Sequence, residues 1–180
     1  MVYRISEGTR TSTRWRAAGV AGAAAAALAA VTIPAATGTA APAPCTAQAL
    51  DLSTRERPSD SPGQGRLEVV LTNASAQSCA LQGFPDVDLV GPEDPAFGPS
   101  YRLPRQAADP APLTVEPGAA VSSLLTYLPG GPDGWVPVTL IATPPDTTTQ
   151  LQTPWPAGVS MQRQDGATHP GTYIGPLQPA

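Results

Sequence analysis

Two cysteines, one histidine and a short run of carboxylates are the side chains of this 180-residue sequence best suited to chemistry. Reactive thiols are marked by a C-x-x-C spacing or an activating neighbour. Cys45 and Cys79 have neither, so in an oxidising compartment the pair reads as a structural disulfide. It would close a loop of about 35 residues, which chain-entropy arguments value at roughly 3.5–4 kcal/mol. His169 stands beside Pro170 in a stretch rich in proline and glycine. A catalytic histidine needs a packed scaffold and an orienting carboxylate, and this one reads as surface decoration. No G-x-S-x-G elbow presents a serine, and one histidine with two bridged cysteines does not make a usual zinc site. Asp86, Asp88, Glu93 and Asp94 are the candidates for calcium, two from one face of a strand and two from the loop after it. They lack the glycine-bracketed spacing of an EF-hand, and the competing reading is the solvated face of an amphipathic strand. Trp135 and Trp155, both close to proline, would either line a carbohydrate surface or pack in the core. Asn73-Ala74-Ser75 fits the N-glycosylation pattern. No catalytic residue and no cofactor are assigned.

The elements that must position these groups are strands. Leu67, Val69 and Leu71 alternate with Glu68 and Val70, the period of a pleated strand. Residues 73–78 are small or polar and read as a turn, because Asn and Ser side chains compete with ladder bonding. Cys79, Leu81 and Phe84 restore apolar chemistry, and Val87 and Leu89 alternate with Asp86 and Asp88. The whole is expected to be a hairpin-like unit that needs a partner sheet, since two strands alone are marginal in water. Residues 46–52 read as a first strand, 53–66 as a polar loop, and the proline- and glycine-rich 90–99 as a loop that no strand crosses. Tyr101 and Leu103 suggest a short edge strand. Residues 113–118 read as a strand ending in a turn at Pro117-Gly118, and 120–128 as a strand interior to its sheet. Residues 135–143 alternate through Val136, Val138, Leu140 and Ala142; 150–153 and 158–164 are weaker candidates. The tail, residues 169–180, is expected to pack across a sheet edge, where proline blocks strand addition.

Twenty-three prolines and 17 glycines exceed a fifth of the chain and argue against helices. About seven to nine short strands separated by turns describe an all-β, immunoglobulin-like antiparallel β-sandwich in a single domain.

The first forty residues read differently. Arg4, Arg10, Arg14 and Arg16 precede an uncharged, alanine-dominated run at 17–33, and Pro34 and small residues follow. This is the plan of a signal peptide, with Gly38-Thr39-Ala40 placing cleavage after Ala40. The alternative is an uncleaved anchor; the run is shorter than the roughly 20 residues a bilayer demands. A lipid on Cys45 is disfavoured by Pro44 directly before it. Residues 41–180 keep six arginines, no lysine and thirteen acidic residues, a net charge of −7. Nucleic acid and anionic membrane surfaces are poor partners for such a chain.

Leu71-Thr72-Asn73 followed by Cys79-Ala80-Leu81-Gln82-Gly83-Phe84-Pro85 resembles the core of an actinobacterial exported family, domain of unknown function 4232. Residues 113–118 resemble that family's L-x-PG turn, and 138–145 its late strand. The resemblance covers about residues 45–145 and implies an immunoglobulin-like sandwich in a secreted or envelope-attached protein. Many members carry a second cysteine pair toward the C-terminus, which this chain lacks. The family assigns no functional residues. The expectation is a secreted or envelope protein that binds without catalysis, its partner an extracellular or cell-envelope protein or glycan. The alternative is a calcium- or carbohydrate-binding extracellular module.

Overall fold

The computed structural model describes residues 41–180, and the expected export segment, residues 1–40, lies outside them. Ten strands follow a single 3-10 turn at Ala47–Ala49: β1 (Leu50–Arg57), β2 (Gly65–Asn73), β3 (Cys79–Leu81), β4 (Asp86–Asp94), β5 (Gly98–Arg102), β6 (Leu113–Val115), β7 (Ala120–Tyr127), β8 (Thr139–Thr143), β9 (Leu151–Pro154) and β10 (Tyr173–Pro179). They form two four-stranded sheets, β1-β2-β7-β10 and β5-β4-β8-β9, with β3 and β6 paired separately. Every named pair is antiparallel. The all-β sandwich expected from the sequence is the architecture observed, with ten strands instead of seven to nine.

The period-two apolar pattern drives this packing. Leu67 and Val69 of β2, Leu125 of β7 and Ile174 of β10 meet Val87 and Leu89 of β4 and Leu140 and Ala142 of β8 in the main core. A second cluster at one end gathers Leu50, Leu71, Leu81, Val115, Val121 and Leu177 around Cys45 and Cys79. Burying each such aliphatic side chain is worth about 1.5–3 kcal/mol.

Several expectations are corrected. The central hairpin is not one: β2 pairs with β1 and β7, while β3 pairs with β6 through Cys79 and Val115. Residues 74–78 carry the chain from one sheet to another pairing, and Asn73 satisfies the backbone there. Residues 90–99 are crossed by strands. β4 runs on through Gly91 and Pro92 because the β4–β5 register shifts between Val90 and Asp94, an irregularity that tolerates a residue without an N–H. A side chain at Gly91 would lie 2.9 Å from the Trp135 ring, so glycine lets the indole cross the strand. The first strand starts at Leu50, after the 3-10 turn, and extends to Arg57, well inside the region expected to be loop. The strand expected at 135–143 is confined to Thr139–Thr143, since Pro137 interrupts the ladder; Val136 and Val138 are exposed, while Leu140 and Ala142 are fully buried. The tail does sit at a sheet edge, but as a regular partner: β10 pairs with β7. Of the weaker candidates, 150–153 becomes β9, and 158–164 contributes only bridges at Met161.

Candidate functional site

On β1 and β2, antiparallel register places Arg55 opposite Glu68 and Arg57 opposite Arg66. Leu67, Val69 and Leu71 face the core, so the residues between them face outward with their cross-strand partners. Arg55 donates from Nε to Glu68 Oε2 at 2.7 Å, and its Nη2 lies 2.5 Å from the same oxygen. Arg57 Nε lies 3.1 Å from Glu68 Oε1. The Glu68 carboxylate is thus covered by two guanidinium groups whose own side chains stay about half exposed (54 and 53 %). Arg66 reaches Asp60 at 2.7 Å, and its Nε is buried without a hydrogen-bond partner.

These groups line a groove of about 520 Å³ across the outer face of the sheet, which continues over Ser122 and Leu124 of β7 to Gln178 of β10. Three of the six arginines after residue 40 line it, against two acidic side chains, Asp60 and Glu68. Its side chains carry a local excess of positive charge on an acidic chain. Guanidinium forks with exposed N–H edges suit carboxylate or phosphate oxygens. The alternation of Arg55 and Arg57 was the available sequence signal, hidden by reading residues 53–66 as loop.

A second cluster stands at the other sheet. The Arg163 guanidinium lies 4.9 Å from the Trp135 ring, 5.4 Å from Phe97 and 5.6 Å from Tyr101. It donates to the carbonyls of Phe97 (3.1 Å), Ser100 (2.7 Å) and Gly98, and to both oxygens of Asp165 (2.8 and 2.9 Å). Its side chain is only 3 % exposed. The bond to Asp165 holds the Arg163 pKa above its ordinary value, with burial opposing. Burial raises the Tyr101 pKa, and the charge of Asp165 adds to the rise. The aromatic cage is filled by the chain's own arginine and acts as a lock between the β4–β5 turn and the segment before β10.

The calcium candidates do not converge. Asp86 opens β4 and is bonded to Arg102 and Arg105 at 2.7 and 2.6 Å. Asp94 closes the same strand and accepts the amides of Ala96 and Phe97 at 2.9 and 3.0 Å. Eight steps along the strand separate their backbones by roughly 26 Å, too far for a shared ion with ligands at about 2.3–2.6 Å. Asp88 lies opposite Arg102, and Glu93 is exposed. Among the described residues no group of three or more His, Cys, Asp and Glu could hold a metal. Trp155 is a core residue, 5 % exposed, with its Nε1 donating to Val159 O at 2.7 Å. Trp135 packs against that core and donates to Pro92 O at 2.9 Å. His169 is exposed, with its Nδ1 3.2 Å from the neighbouring Thr168 hydroxyl. Asn73 of the glycosylation pattern is fully buried.

The two cysteines are brought together: Cys45 and Cys79 form a disulfide with Cα atoms 4.8 Å apart. Around it, Cys45 N donates to Ala80 O and Ala80 N to Ala43 O, stitching the segment before the 3-10 turn onto β3. A family model for the domain of unknown function DUF4232 matches residues 45–173, from this bridge to the first residue of β10. The chain belongs to the DUF4232 family. No curated protein and no solved structure matches it. In this DUF4232 chain the Leu-Thr-Asn stretch ends β2, the Cys-x-Leu stretch is β3, and the Pro-Gly pair makes the turn between β6 and β7. Gly118 there has φ +76°, the left-handed conformation that favours glycine. All three motif pieces meet at the disulfide end of the sandwich, where they serve structural bonding.

Proposed function

We propose that this DUF4232 chain is an exported, non-catalytic binding module that works outside the cytoplasm or at the cell envelope. Its binding surface is the arginine-lined groove on the outer face of β1-β2-β7-β10. The single observation that carries the reading is the convergence of Arg55, Arg57 and Arg66 on one groove of an otherwise acidic chain. The groove accepts an anionic group, carboxylate or phosphate, carried by an extracellular or envelope polymer. Ser122 and Gln178 offer hydrogen bonds beside it, and Leu124 an apolar contact. The disulfide supports an oxidising compartment, and the basic, alanine-rich leader supports export. A binding reading also fits the exposure of His169 and the commitment of Asp86 and Asp94 to neighbouring groups.

Calorimetric titration with a short uronic-acid oligosaccharide, set against a neutral oligosaccharide of equal length, tests this. Only the acidic probe is expected to bind, and binding should weaken as salt rises. Arg57→Gln leaves Arg55 on Glu68 and should cut affinity about tenfold, equivalent to about 1.4 kcal/mol. Equal binding of both probes, or an Arg57→Gln variant that binds as the parent does, overturns the assignment.

A further inference from the structure

The two large sheets have four edges, β1, β10, β5 and β9, and three are closed to another strand. Along β10, Ile174 N donates to Pro104 O and Gln106 N to Ile174 O, so a neighbouring segment occupies the edge, and Pro176 and Pro179 lie within the strand. Along β5, Arg163 takes the carbonyls of Phe97, Gly98 and Ser100, and Pro99 lacks an N–H. β9 is four residues long and ends in Pro154. Natural sheets blunt their edges by such devices. β1 has eight residues, no proline and an unbroken register with β2.

The hydrogen bonds show which β1 groups face outward. Ala74 N donates to Ala49 O at 2.8 Å, and this pair continues the β1–β2 register. Odd-numbered residues of β1 therefore bond to β2, because antiparallel ladders alternate. The far side of β2 agrees: Asn73 exchanges backbone bonds with the turn leading into β7, through Ala119 O and Gly118 N. Leu52, Thr54 and Glu56 consequently turn their N–H and C=O groups away from the sheet. Among the described residues none of these groups has a backbone partner beyond its own sheet.

We infer that this edge pairs with β1 of a second copy, antiparallel, about a two-fold axis at Thr54. Outward-facing residues must meet outward-facing residues, which restricts the register to even against even. With the axis at Thr54, Leu52 faces Glu56, Thr54 faces itself, and all three outward positions are used. Asp51 then faces Arg57 on both sides of the axis. Arg57 meets Glu68 through Nε, which leaves its fork to reach that carboxylate. Moving the axis to Arg55 sets Arg55 against itself. Moving it to Ser53 calls on Leu50, whose N–H is already given to Ala47 O. Charge and hydrogen bonding select the same register. The product is a continuous eight-stranded sheet with both arginine grooves on one face. The inference stands on the edge geometry; it shares Arg57 with the groove, and Thr54→Cys, which leaves Arg57 in place, tests the pairing apart from ligand binding.

Sedimentation of the purified, host-processed chain tests it, together with two variants. The parent is expected to dimerise. The Thr54 N–H makes no bond to β2, so Thr54→Pro is tolerated at an edge and should raise the dimer dissociation constant about tenfold or more, with melting nearly unchanged. Thr54→Cys places two thiols across the axis, where hydrogen-bonded partners sit about 5.5 Å apart, within disulfide range. Under mild oxidation it should give a covalent dimer, and Ser53→Cys, which faces Arg55 of the second copy, should not. If Thr54→Pro does not fold, the cysteine pair decides. A parent that stays monomeric at about 0.1 mM overturns the inference. So does cross-linking through Ser53→Cys at least as fast as through Thr54→Cys.

Discussion

Asn73 donates from its side-chain amide to the carbonyl of Val115 at 2.9 Å, joining the last residue of β2 to the last residue of β6. The same amide nitrogen reaches Gln77 O at 2.8 Å, and Oδ1 accepts from the Ser75 amide and hydroxyl at 3.0 and 2.7 Å. Asn73 therefore replaces the ladder bonds that β2 loses where it stops. Backbone groups buried at a strand end need such a partner. Asn73→Ala takes this amide from the carbonyl of Val115 and leaves Gln77 O with only the Ser75 hydroxyl, and it should cost about 1–3 kcal/mol. Urea unfolding with an unchanged m-value checks this. Asn73→Asp should not rescue, because a carboxylate has no N–H to give.

The disulfide beside this corner joins Cys45 to Cys79 across 34 positions. Paired replacement by alanine should lower stability by about 3–4 kcal/mol, chiefly by freeing the unfolded chain. Denaturant unfolding of parent and double variant measures the difference. An intact mass lighter by two hydrogens than the reduced chain establishes the bond directly. A host-processed chain that begins near Ala41 in the same spectrum would establish cleavage of the leader.

The strands were legible where burial on one face enforces alternation, as in residues 67–71 and 120–127. They were illegible where another bond takes over a local rule. Proline and glycine at 91 and 92 argue against a strand, yet a register shift and the Trp135 indole accommodate them. Arg55 and Arg57 looked like loop because charge dominates the segment, although it is an edge strand whose outer face is meant to be charged. The cysteine pairing followed from their count and the expected compartment. The Arg163 lock left no trace, since Phe97, Tyr101, Trp135 and Asp165 are brought to it only by tertiary packing. Sequence likewise suggested that four carboxylates share a site, because it shows their closeness along the chain and not the length of the strand between them.

Arg163 gives that lock a measurable weight. Removing it strands the Asp165 carboxylate and three backbone carbonyls, so Arg163→Ala should destabilise by about 3 kcal/mol or more. Lysine keeps the charge without the planar fork, and Arg163→Lys should recover only part of the loss. The defect should be local as well as global. In Arg163→Ala, limited proteolysis should cut after Phe97, the exposed residue of the β4–β5 turn, at protease levels that leave the parent whole.

One buried and one partly buried phenol set an alkaline limit. Tyr101 has its pKa raised mainly by burial, with the negative charge of Asp165 adding to it. The Tyr127 pKa is also raised by burial first, then by Glu56. In the unfolded chain both phenols lose their protons near the ordinary value of about 10. The native state holds those protons to higher pH, so above about pH 10 it binds more protons than the unfolded state does. Stability then falls with rising pH. The contribution is complete below the unfolded pKa and is lost as pH climbs through the raised folded values. Melting temperature should hold level on the acid side of about pH 10 and drop beyond it. A Tyr101→Phe/Tyr127→Phe variant should lose less stability over the same interval, because neither replacement can ionise. Thermal melts of both proteins across that interval, with tyrosinate absorbance followed alongside, measure the difference. Equal loss in parent and variant would assign the alkaline limit to other groups.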